Sequence, residues 1–196
     1  MLFDTTPRRR YGWILPLVAV IAVGVGLYLL LLSTAPSLPA ISLFGMSDVD
    51  IEASLAEKPG ARGDRLYIPQ LAIDVPIGEE ENALERGAWH RVPENGNPIK
   101  GGNFVLSAHR FVIGWTPQQT RNNSPFYRLD QLLPGNLIYV DYKSKRYTYR
   151  VDRLYPVPST ATEIEAPSNA AKLTLYSCDL RGESAGRLVV EAVPQR

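Results

Sequence analysis

The 196-residue sequence contains a single cysteine, Cys178, and only two histidines, His90 and His109. One cysteine excludes a structural disulfide within the chain, because such a bond needs two thiols. The sequence has no GxxxxGK[ST] segment, no HExxH pair and no cluster of cysteine and histidine that would hold zinc. The formal net charge is +1, and no basic face stands out beyond a short N-terminal run. We therefore expect no metal, no cofactor and no nucleic-acid partner.

The sequence has one long apolar run, near its N-terminus. The basic segment "PRRR" (Pro7–Arg10) precedes an uncharged stretch from Tyr11 to Leu32, which is long enough to cross the ~30 Å hydrocarbon core of a bilayer as a helix. The arginines favour the cytoplasmic side. A cleaved signal peptide is the alternative, but its apolar core is usually only about 7 to 15 residues long. We therefore predict a cytoplasmic N-terminus (1–10), a single-pass signal-anchor helix in the cell membrane (11–32) and an extracytoplasmic remainder.

Turn signals are frequent beyond the anchor, and the whole chain has 16 prolines and 15 glycines. Residues 33–63 are weakly patterned and predict an extracytoplasmic stalk, with one short helix in "DVDIEASLAEKPG". Residues 64–196 alternate turns with short runs of β-branched and aromatic residues. Within them, "NLIYVDYKSKRYTYRV" predicts a hairpin and "SPFYRLDQLLPGN" a short helix. About eight strands with one or two short helices indicate a mainly β domain, either a barrel or a sandwich.

Cys178 ends the alternating segment "KLTLYSC", where a strand is expected to finish. A lone thiol in an exported domain is a candidate nucleophile. Free cysteine is also among the most buried residue types, so a packing role is the alternative. The polar neighbours Ser177 and Asp179 favour an accessible thiol. Position and composition leave both interpretations open.

A cysteine nucleophile needs a partner that moves a proton, and two histidines are available. His109 ends the strand-like segment "FVLSAH", so it occupies the same kind of position as the cysteine. His90 lies in the turn-rich segment "GAWHRVP". We predict that His109 is the catalytic histidine, and that His90 is a surface or hydrogen-bonding residue packed by Trp89.

Arg187 begins the apolar run "RLVVEAV", which follows Cys178 after the short link "DLRGESAG". A link this short makes the two strands neighbours, so Arg187 is expected beside the thiol, where a developing oxyanion needs positive charge. A solvated arginine at a strand end is the alternative. Arg181 is a rival on the link itself, but a loop holds a side chain less firmly.

Three segments together resemble the sortases, membrane-anchored cysteine transpeptidases of bacterial surfaces. "GAWHRVPENGNPIKGGNFVLSAHR" resembles the segment that leads to the family's histidine, "TLYSC" resembles its TLxTC signature, and "GRLVV" resembles its arginine strand. The motifs occur in the family's order, and the resemblance covers about Arg65 to Val193. It implies an eight-stranded β-barrel with one or two short helices, preceded by the N-terminal transmembrane helix.

The resemblance also implies an activity. Cys178 is the expected nucleophile, His109 the general acid and base, and Arg187 the residue that stabilises the oxyanion and positions the substrate. The expected partners are proteins with a C-terminal LPXTG-like sorting motif and an amine from a cell-wall precursor or a pilin. The long connection at 158–170 corresponds to a loop that borders the family's substrate groove. The expected substrate contacts are Ala161, Ile164, Ala166 and Ser177.

Three features depart from the family pattern, and the last two bear on the subtype. Ser177 stands where threonine is usual, and this change keeps the hydroxyl but loses a methyl group. No Asp-Pro-aromatic lid motif occurs in the stalk, and no second apolar run follows the domain. Both absences argue against a pilin-polymerising enzyme. Two alternatives remain: an anchored cysteine hydrolase that releases peptides to water, and a non-catalytic β domain that binds cell-envelope partners.

Overall fold

The computed structural model describes residues 13–39 and 41–195 of the chain. The basic segment that we predict to be cytoplasmic, residues 1–10, lies outside the described residues. The described part has three α-helices: α1 (Ile14–Thr34), α2 (Ile51–Ala56) and α3 (Pro117–Asn122). It has nine strands: β1 (Arg65–Ile68), β2 (Ile73–Gly78), β3 (Ala88–His90), β4 (Gly96–Asn97), β5 (Gly101–Ser107), β6 (Leu137–Tyr142), β7 (Lys145–Val157), β8 (Lys172–Asp179) and β9 (Gly182–Pro194).

Eight of the strands close into a barrel. The hydrogen-bonded order runs β3-β2-β1-β6-β7-β9-β8-β5, and β5 pairs back with β3 through Trp89 opposite Ser107 and His90 opposite Leu106. The two-residue β4 is a small addition on β5. Closure leaves none of the eight strands with a free edge. The predicted eight-stranded barrel is therefore confirmed.

Side chains alternate between the interior and the exterior of the barrel along each strand. Leu173 and Leu175 of β8 and Leu106 of β5 are fully buried in the interior core. Tyr176 of β8 and Val189 of β9 belong instead to a second apolar cluster, on the outer face of the same strands. The alternation assigns Cys178, two residues after Tyr176, to this outer face.

The predicted hairpin is confirmed. β6 and β7 pair antiparallel from Leu137 opposite Arg150 to Tyr142 opposite Lys145. The two residues between them, Lys143 and Ser144, have φ angles of 48° and 64°. Positive φ at both central positions is what a type I′ turn requires, and this turn matches the twist of the strands that it joins.

The prediction of a short helix in "SPFYRLDQLLPGN" is wrong. That segment forms only a 3-10 turn at Leu129–Gln131. Phe126, Leu129 and Leu132 are all buried in the core, and their spacing of three residues suits a 3-10 turn better than an α-helix. The α-helix of this region is α3, which the sequence analysis missed. The Thr116 hydroxyl caps α3 by accepting a hydrogen bond from the Gln119 amide.

The N-terminal helix α1 has 21 residues and carries no charged side chain. At a rise of 1.5 Å per residue it is about 31 Å long. The most apolar part of the stretch Ile14–Ser37 has a mean hydropathy of 2.7 and is not buried inside the protein, whereas Leu32, Ala35 and Pro36 near its end are buried. By length and composition this helix is compatible with a membrane anchor.

The stalk segment, in its described parts 33–39 and 41–63, contacts the barrel domain at several points. Pro36 is buried at the end of α1 beside α3. α2 is the short helix that the sequence predicts, and the carboxylate of Asp50 caps it by accepting from the Ala53 amide at 2.9 Å. Ser54 of α2 donates to Asp74 of β2 at 2.7 Å. The segment is therefore a flank of the folded domain.

His90 is a core residue. Its side chain is fully buried, and Nε2 lies 3.1 Å from the carbonyl oxygen of Gly96. The ring packs edge-on against Phe104, with centroids 4.7 Å apart. It is not packed by Trp89, whose ring lies under the guanidinium of Arg91. Burial lowers the pKa of His90, and the Gly96 carbonyl only partly opposes this effect.

We expect this buried histidine to make stability depend on pH. The unfolded chain takes up a proton at His90 below about pH 6.5, whereas the folded chain does so only at lower pH. The free energy of unfolding should therefore fall as the pH drops below that value, by up to about 1.4 kcal/mol per pH unit. Denaturant titrations of the full chain in detergent measure this slope. The slope should be shallower in His90→Gln, and equal slopes in both proteins would contradict the assignment.

Candidate active site

Cys178 and Arg187 face each other across two neighbouring strands. β8 and β9 pair antiparallel, and their register places Cys178 directly opposite Arg187. Arg187 Nη1 donates a hydrogen bond to Cys178 Sγ at 3.6 Å. Opposite residues in such a pair hold their Cβ atoms about 4.5–5.5 Å apart. The contact therefore follows from the strand register, and the predicted adjacency of the two strands is confirmed.

The backbone before Arg187 explains its position. The register between β8 and β9 shifts just after Cys178, so the hairpin is irregular at this end. Gly186 has a φ of 134°, and a Cβ atom there would lie 2.7 Å from the carbonyl oxygen of Val157 on β7. Val157 is also the residue that pairs with Arg187. Glycine lets β9 approach β7 at this point, and the arginine follows at once.

His109 lies at the same end of the barrel as Cys178. β5 and β8 are parallel, and their last registered pair is Ser107 with Tyr176. The Ala108 amide then donates to the Tyr176 carbonyl at 3.3 Å. His109 and Cys178 are each two residues beyond that pair. The His109 carbonyl accepts from the Phe126 amide at 3.1 Å, and this bond holds the half-buried histidine just after the strand.

A buried cation that the sequence analysis did not propose for the site follows His109. Arg110 is 6% exposed, and its Nη2 donates to Asp130 Oδ1 at 2.7 Å. Its Nε has no hydrogen-bond partner among the described residues. Burial lowers the pKa of Arg110, and the negative charges of Asp130 and Asp179 oppose this effect. Asp179 directly follows Cys178, so this arginine lies at the end of the barrel that carries the thiol.

The outer face of the strands that carry the site is covered by the connection between β7 and β8. Val105 of β5, Tyr176 of β8 and Val189 of β9 form an apolar cluster there. Ala161 and Ile164 of the connection pack onto this cluster and are buried by it. The connection therefore lies across the sheet that carries Cys178.

Polar contacts fasten the same connection to the sheet. The side-chain amide of Asn103 donates to the carbonyls of Ile164 at 3.0 Å and Ala166 at 2.8 Å. Thr174 in turn donates to the Asn103 side-chain oxygen at 2.7 Å. Because Asn103 and Thr174 are fully buried, these bonds are shielded from water. They fix the backbone on both sides of Glu165.

The side chain of Glu165 joins this connection to the candidate site. Arg91 Nε donates to its carboxylate at 2.8 Å, and the Tyr176 hydroxyl also donates to it. Burial alone would raise the pKa of Glu165, but these two bonds and the charges of Arg91 and Arg187 lower it overall. The pKa of Tyr176 is raised to about 12, mainly by burial and secondly by the hydrogen bond to the Glu165 carboxylate. The guanidinium of Arg187 lies over the Tyr176 ring, 5.6 Å from its centroid, so the contacts continue to Cys178.

The four predicted substrate contacts lie in different environments. Ala166 is exposed, whereas Ala161 and Ile164 are buried between the connection and the sheet. Ser177 is 1% exposed, and the strand alternation turns its side chain toward the barrel interior. The structure therefore does not bring Ser177 to a surface that a peptide can reach. Substrate contact at the other three positions stays a prediction.

The arrangement contains the groups that nucleophilic catalysis by cysteine uses. A thiol has a guanidinium at 3.6 Å, and a histidine follows the end of the adjacent parallel strand. Activated cysteine nucleophiles depend on such a neighbouring cation or base. Within residues 13–39 and 41–195, no group of three or more His, Cys, Asp or Glu side chains is arranged to hold a metal ion.

A sequence profile described as "Sortase domain" matches residues 66–195. The chain belongs to the sortase family. The match runs from β1 to the residue that follows β9. It therefore covers every strand of the barrel and all three residues of the candidate site, and the family that the motifs predict is confirmed.

Sequence relatives within the family include a sortase from Streptomyces coelicolor, "Sortase SrtE1", which is 32% identical over 124 residues. A second relative, "Sortase A" from Streptococcus agalactiae, is 31% identical over 132 residues. These matches cover 59% and 65% of this chain, but only 31% and 50% of the relatives. The chain thus spans about a third to a half of the curated sortases that it matches.

Solved sortase structures share the fold. Sortase A from Corynebacterium diphtheriae, a lid mutant, superposes with a TM-score of 0.57 at 23% identity, covering 74% of this chain and 75% of that one. The pilus-related sortase C of Group B Streptococcus gives the same TM-score at 21% identity, covering 68% of this chain and 66% of that one. Both likenesses support the eight-stranded barrel.

We expect Glu165→Gln to loosen the connection between β7 and β8. The change removes the charge that holds Arg91 and weakens the bond from Tyr176. A loss of about 1–2 kcal/mol should speed local amide hydrogen exchange in residues 158–170 by about 5- to 30-fold. Glu163→Gln is the matched control, because Glu163 is an exposed glutamate in the same 3-10 turn. Equal exchange in the two variants would show that the carboxylate of Glu165 does not hold the connection.

Proposed function

We propose that this chain is a sortase-type cysteine transpeptidase that acts at the outer face of the cell membrane. The observation that carries the proposal is the cross-strand contact of Cys178 and Arg187 at 3.6 Å, beside the strand end that bears His109. A nucleophile, a cation for the oxyanion and a group that moves protons are the parts that acyl transfer requires. Membership of the sortase family supports the same chemistry.

The proposed reaction begins with the Cys178 thiolate attacking a peptide carbonyl in an LPXTG-like sorting signal. Arg187 stabilises the oxyanion that forms. Protonated His109 gives its proton to the leaving amine, the C–N bond breaks, and a thioester to Cys178 remains. An amine from a cell-wall precursor or a pilin then attacks the thioester. His109 takes up the proton of that amine, and Cys178 leaves as the thiolate.

The proposed location rests on α1. Its length of about 31 Å matches the hydrocarbon core of a bilayer, and nearly all of its apolar side chains, with the exception of Leu32, are not buried in the protein. We propose that α1 is a single-pass anchor, with residues 1–10 in the cytoplasm. Residues 33–63 and the barrel at 64–196 then lie on the extracytoplasmic side, where sorting-signal substrates and cell-wall amines occur.

We expect the full chain in detergent to transfer a labelled LPXTG-type peptide to an added primary amine. Cys178→Ala should abolish transfer, because no thioester can form. Arg187→Ala should lower kcat by about 10²- to 10³-fold, the effect of removing one oxyanion donor. Chromatography of the labelled peptide separates the substrate, the hydrolysis product and the amine adduct.

Arg181→Ala is the matched control for this experiment. Arg181 is an exposed arginine in the same hairpin, paired with Asp179 at 3.0 Å and not with the thiol. Its removal should leave transfer within about twofold, since surface ion pairs contribute little. Cleavage to water with no amine adduct would indicate a hydrolase. Binding of the peptide with no cleavage would indicate a non-catalytic domain, and either result would overturn the proposal.

A further inference from the structure

Exposed apolar side chains from two separate segments lie near the C-terminal half of α1. Leu43 is 85% exposed and Phe44 is also exposed, and both belong to a short turn that follows α1. Trp115 is 86% exposed and precedes α3. Large apolar side chains grouped on one side of a domain commonly mark an interaction surface. We call Leu43, Phe44 and Trp115 the apolar patch.

Direct contacts connect the patch to α1. The Tyr28 hydroxyl donates to the Trp115 carbonyl oxygen at 2.7 Å. Phe44 borders an apolar cavity together with Leu27 and Leu31 of α1. Both segments thus meet the helix at the level of Leu27 to Leu31, well before its last residue.

If α1 spans the bilayer, the position of these contacts along the helix determines how deep in the bilayer the apolar patch lies. Tyr28 precedes Thr34, the last residue of α1, by six residues, which is about 9 Å along the helix axis. The helix is only about as long as the hydrocarbon core is thick, so its end lies near the outer boundary of that core. Groups beside Tyr28 therefore reach about as deep as interfacial helices do, which is about 5–10 Å.

The charge distribution favours lipid as the occupant of this surface. Residues 33–47 contain no charged side chain, and neither do residues 111–120. Both uncharged segments adjoin the helix that is itself the proposed lipid contact. Tryptophan prefers the membrane interface, because its apolar ring can contact lipid there while its N–H group remains near water. The polar side chains of these two segments are uncharged, and the charged residues that directly follow the segments, Asp48 and Arg121, pair with each other at 2.8 Å.

We propose that Leu43, Phe44 and Trp115 insert into the outer leaflet and dock the catalytic domain on the membrane. The inference rests on the anchor role of α1 in the proposed function and adds a second contact with lipid. A single helix lets a domain tilt and rotate, whereas a second contact restricts both motions. The partner is the interfacial region of the bilayer itself.

Docking there would set the orientation of the candidate active site. The segment that carries Trp115 starts directly after His109, and side-chain bonds hold its fold. Ser124 Oγ accepts from the Val112 amide at 3.0 Å, and Thr120 Oγ1 accepts from the Gly114 amide at 2.9 Å. A tryptophan seated in lipid would therefore hold the barrel end with His109 at a defined height above the membrane.

Single-cysteine labelling of the full chain tests the proposal. Cys178→Ala removes the only thiol, after which Leu43→Cys and Trp115→Cys each introduce one label site. The protein is reconstituted in phosphatidylcholine–phosphatidylglycerol liposomes and labelled with a polarity-sensitive fluorophore. Quenching by nitroxide lipids is then compared with quenching by iodide in the water phase. We expect lipid quenching at both positions to exceed that at the control below by at least about threefold.

Two further labels serve as controls. Ile99→Cys reports on an equally apolar position that is 60% exposed. Ile99 precedes the start of β5, and Trp115 follows the other end of that strand, which is about 23 Å long. Only iodide should therefore quench a label at Ile99. Val23→Cys lies in α1 and should be quenched by nitroxide lipids, which verifies the anchor.

Each outcome decides the proposal. Suppose that only iodide quenches the labels at 43 and 115, as expected for the label at 99, while nitroxide lipids quench the label at 23. This result would overturn docking and leave the anchor intact. A label at 23 that is open to iodide would overturn both. Labels at 43 and 115 shielded from both quenchers would indicate a protein partner or a second copy of the chain, and this too would overturn docking. Peptide transfer is not measured, so the result is independent of the catalytic proposal.

Discussion

The structure of the candidate site depends on one register, the pairing of β8 with β9 that sets Cys178 opposite Arg187. This register places a guanidinium 3.6 Å from the thiol without a long loop between the two residues. The pairing of each of these two strands with a further strand holds the register in place. β9 also pairs with β7, where Gly186 permits the close approach, and β8 also pairs with β5, which leads to His109. A shift of one residue would turn the cysteine or the arginine to the other face of the sheet.

The contacts around Glu165 extend this arrangement to the covering connection. A carboxylate bonded by Arg91 and Tyr176 stands near the charge of Arg187, and the tyrosine ring lies under that guanidinium. Glu165 therefore holds the connection, and Tyr176, to which it is bonded, contacts Arg187. This arrangement links the connection to the candidate site, because movement of the connection would change the surroundings of Arg187, the residue that we propose to stabilise the oxyanion. Arg110 adds a second, buried positive charge at the same end of the barrel.

The choice of a barrel over a sandwich came from the resemblance to the sortases. Local patterns in the sequence were enough to predict a mainly β domain, the hairpin at Lys143 and Ser144, and the adjacency of the strands that bear Cys178 and Arg187. Each of these depends on alternation or on a short link. The contacts of Glu165 with Arg91, 74 residues apart, were not predictable, because they depend on tertiary packing. The specific bond from Ser54 of the stalk to Asp74 was not predictable for the same reason. Ser177 is different: the alternation from Leu173 and Leu175 already turns it inward, and that signal was present in the sequence.

The central claim is that Cys178 carries the acyl group and that an amine removes it. The most direct measurement is intact-protein and peptide mass spectrometry of the full chain after brief mixing with an LPXTG-type peptide. The account predicts an adduct on the tryptic fragment that contains Cys178, with the mass of the acyl part of the peptide, and faster loss of this adduct when a primary amine is added. An adduct on another residue, no adduct, or loss at a rate that the amine does not change would contradict it.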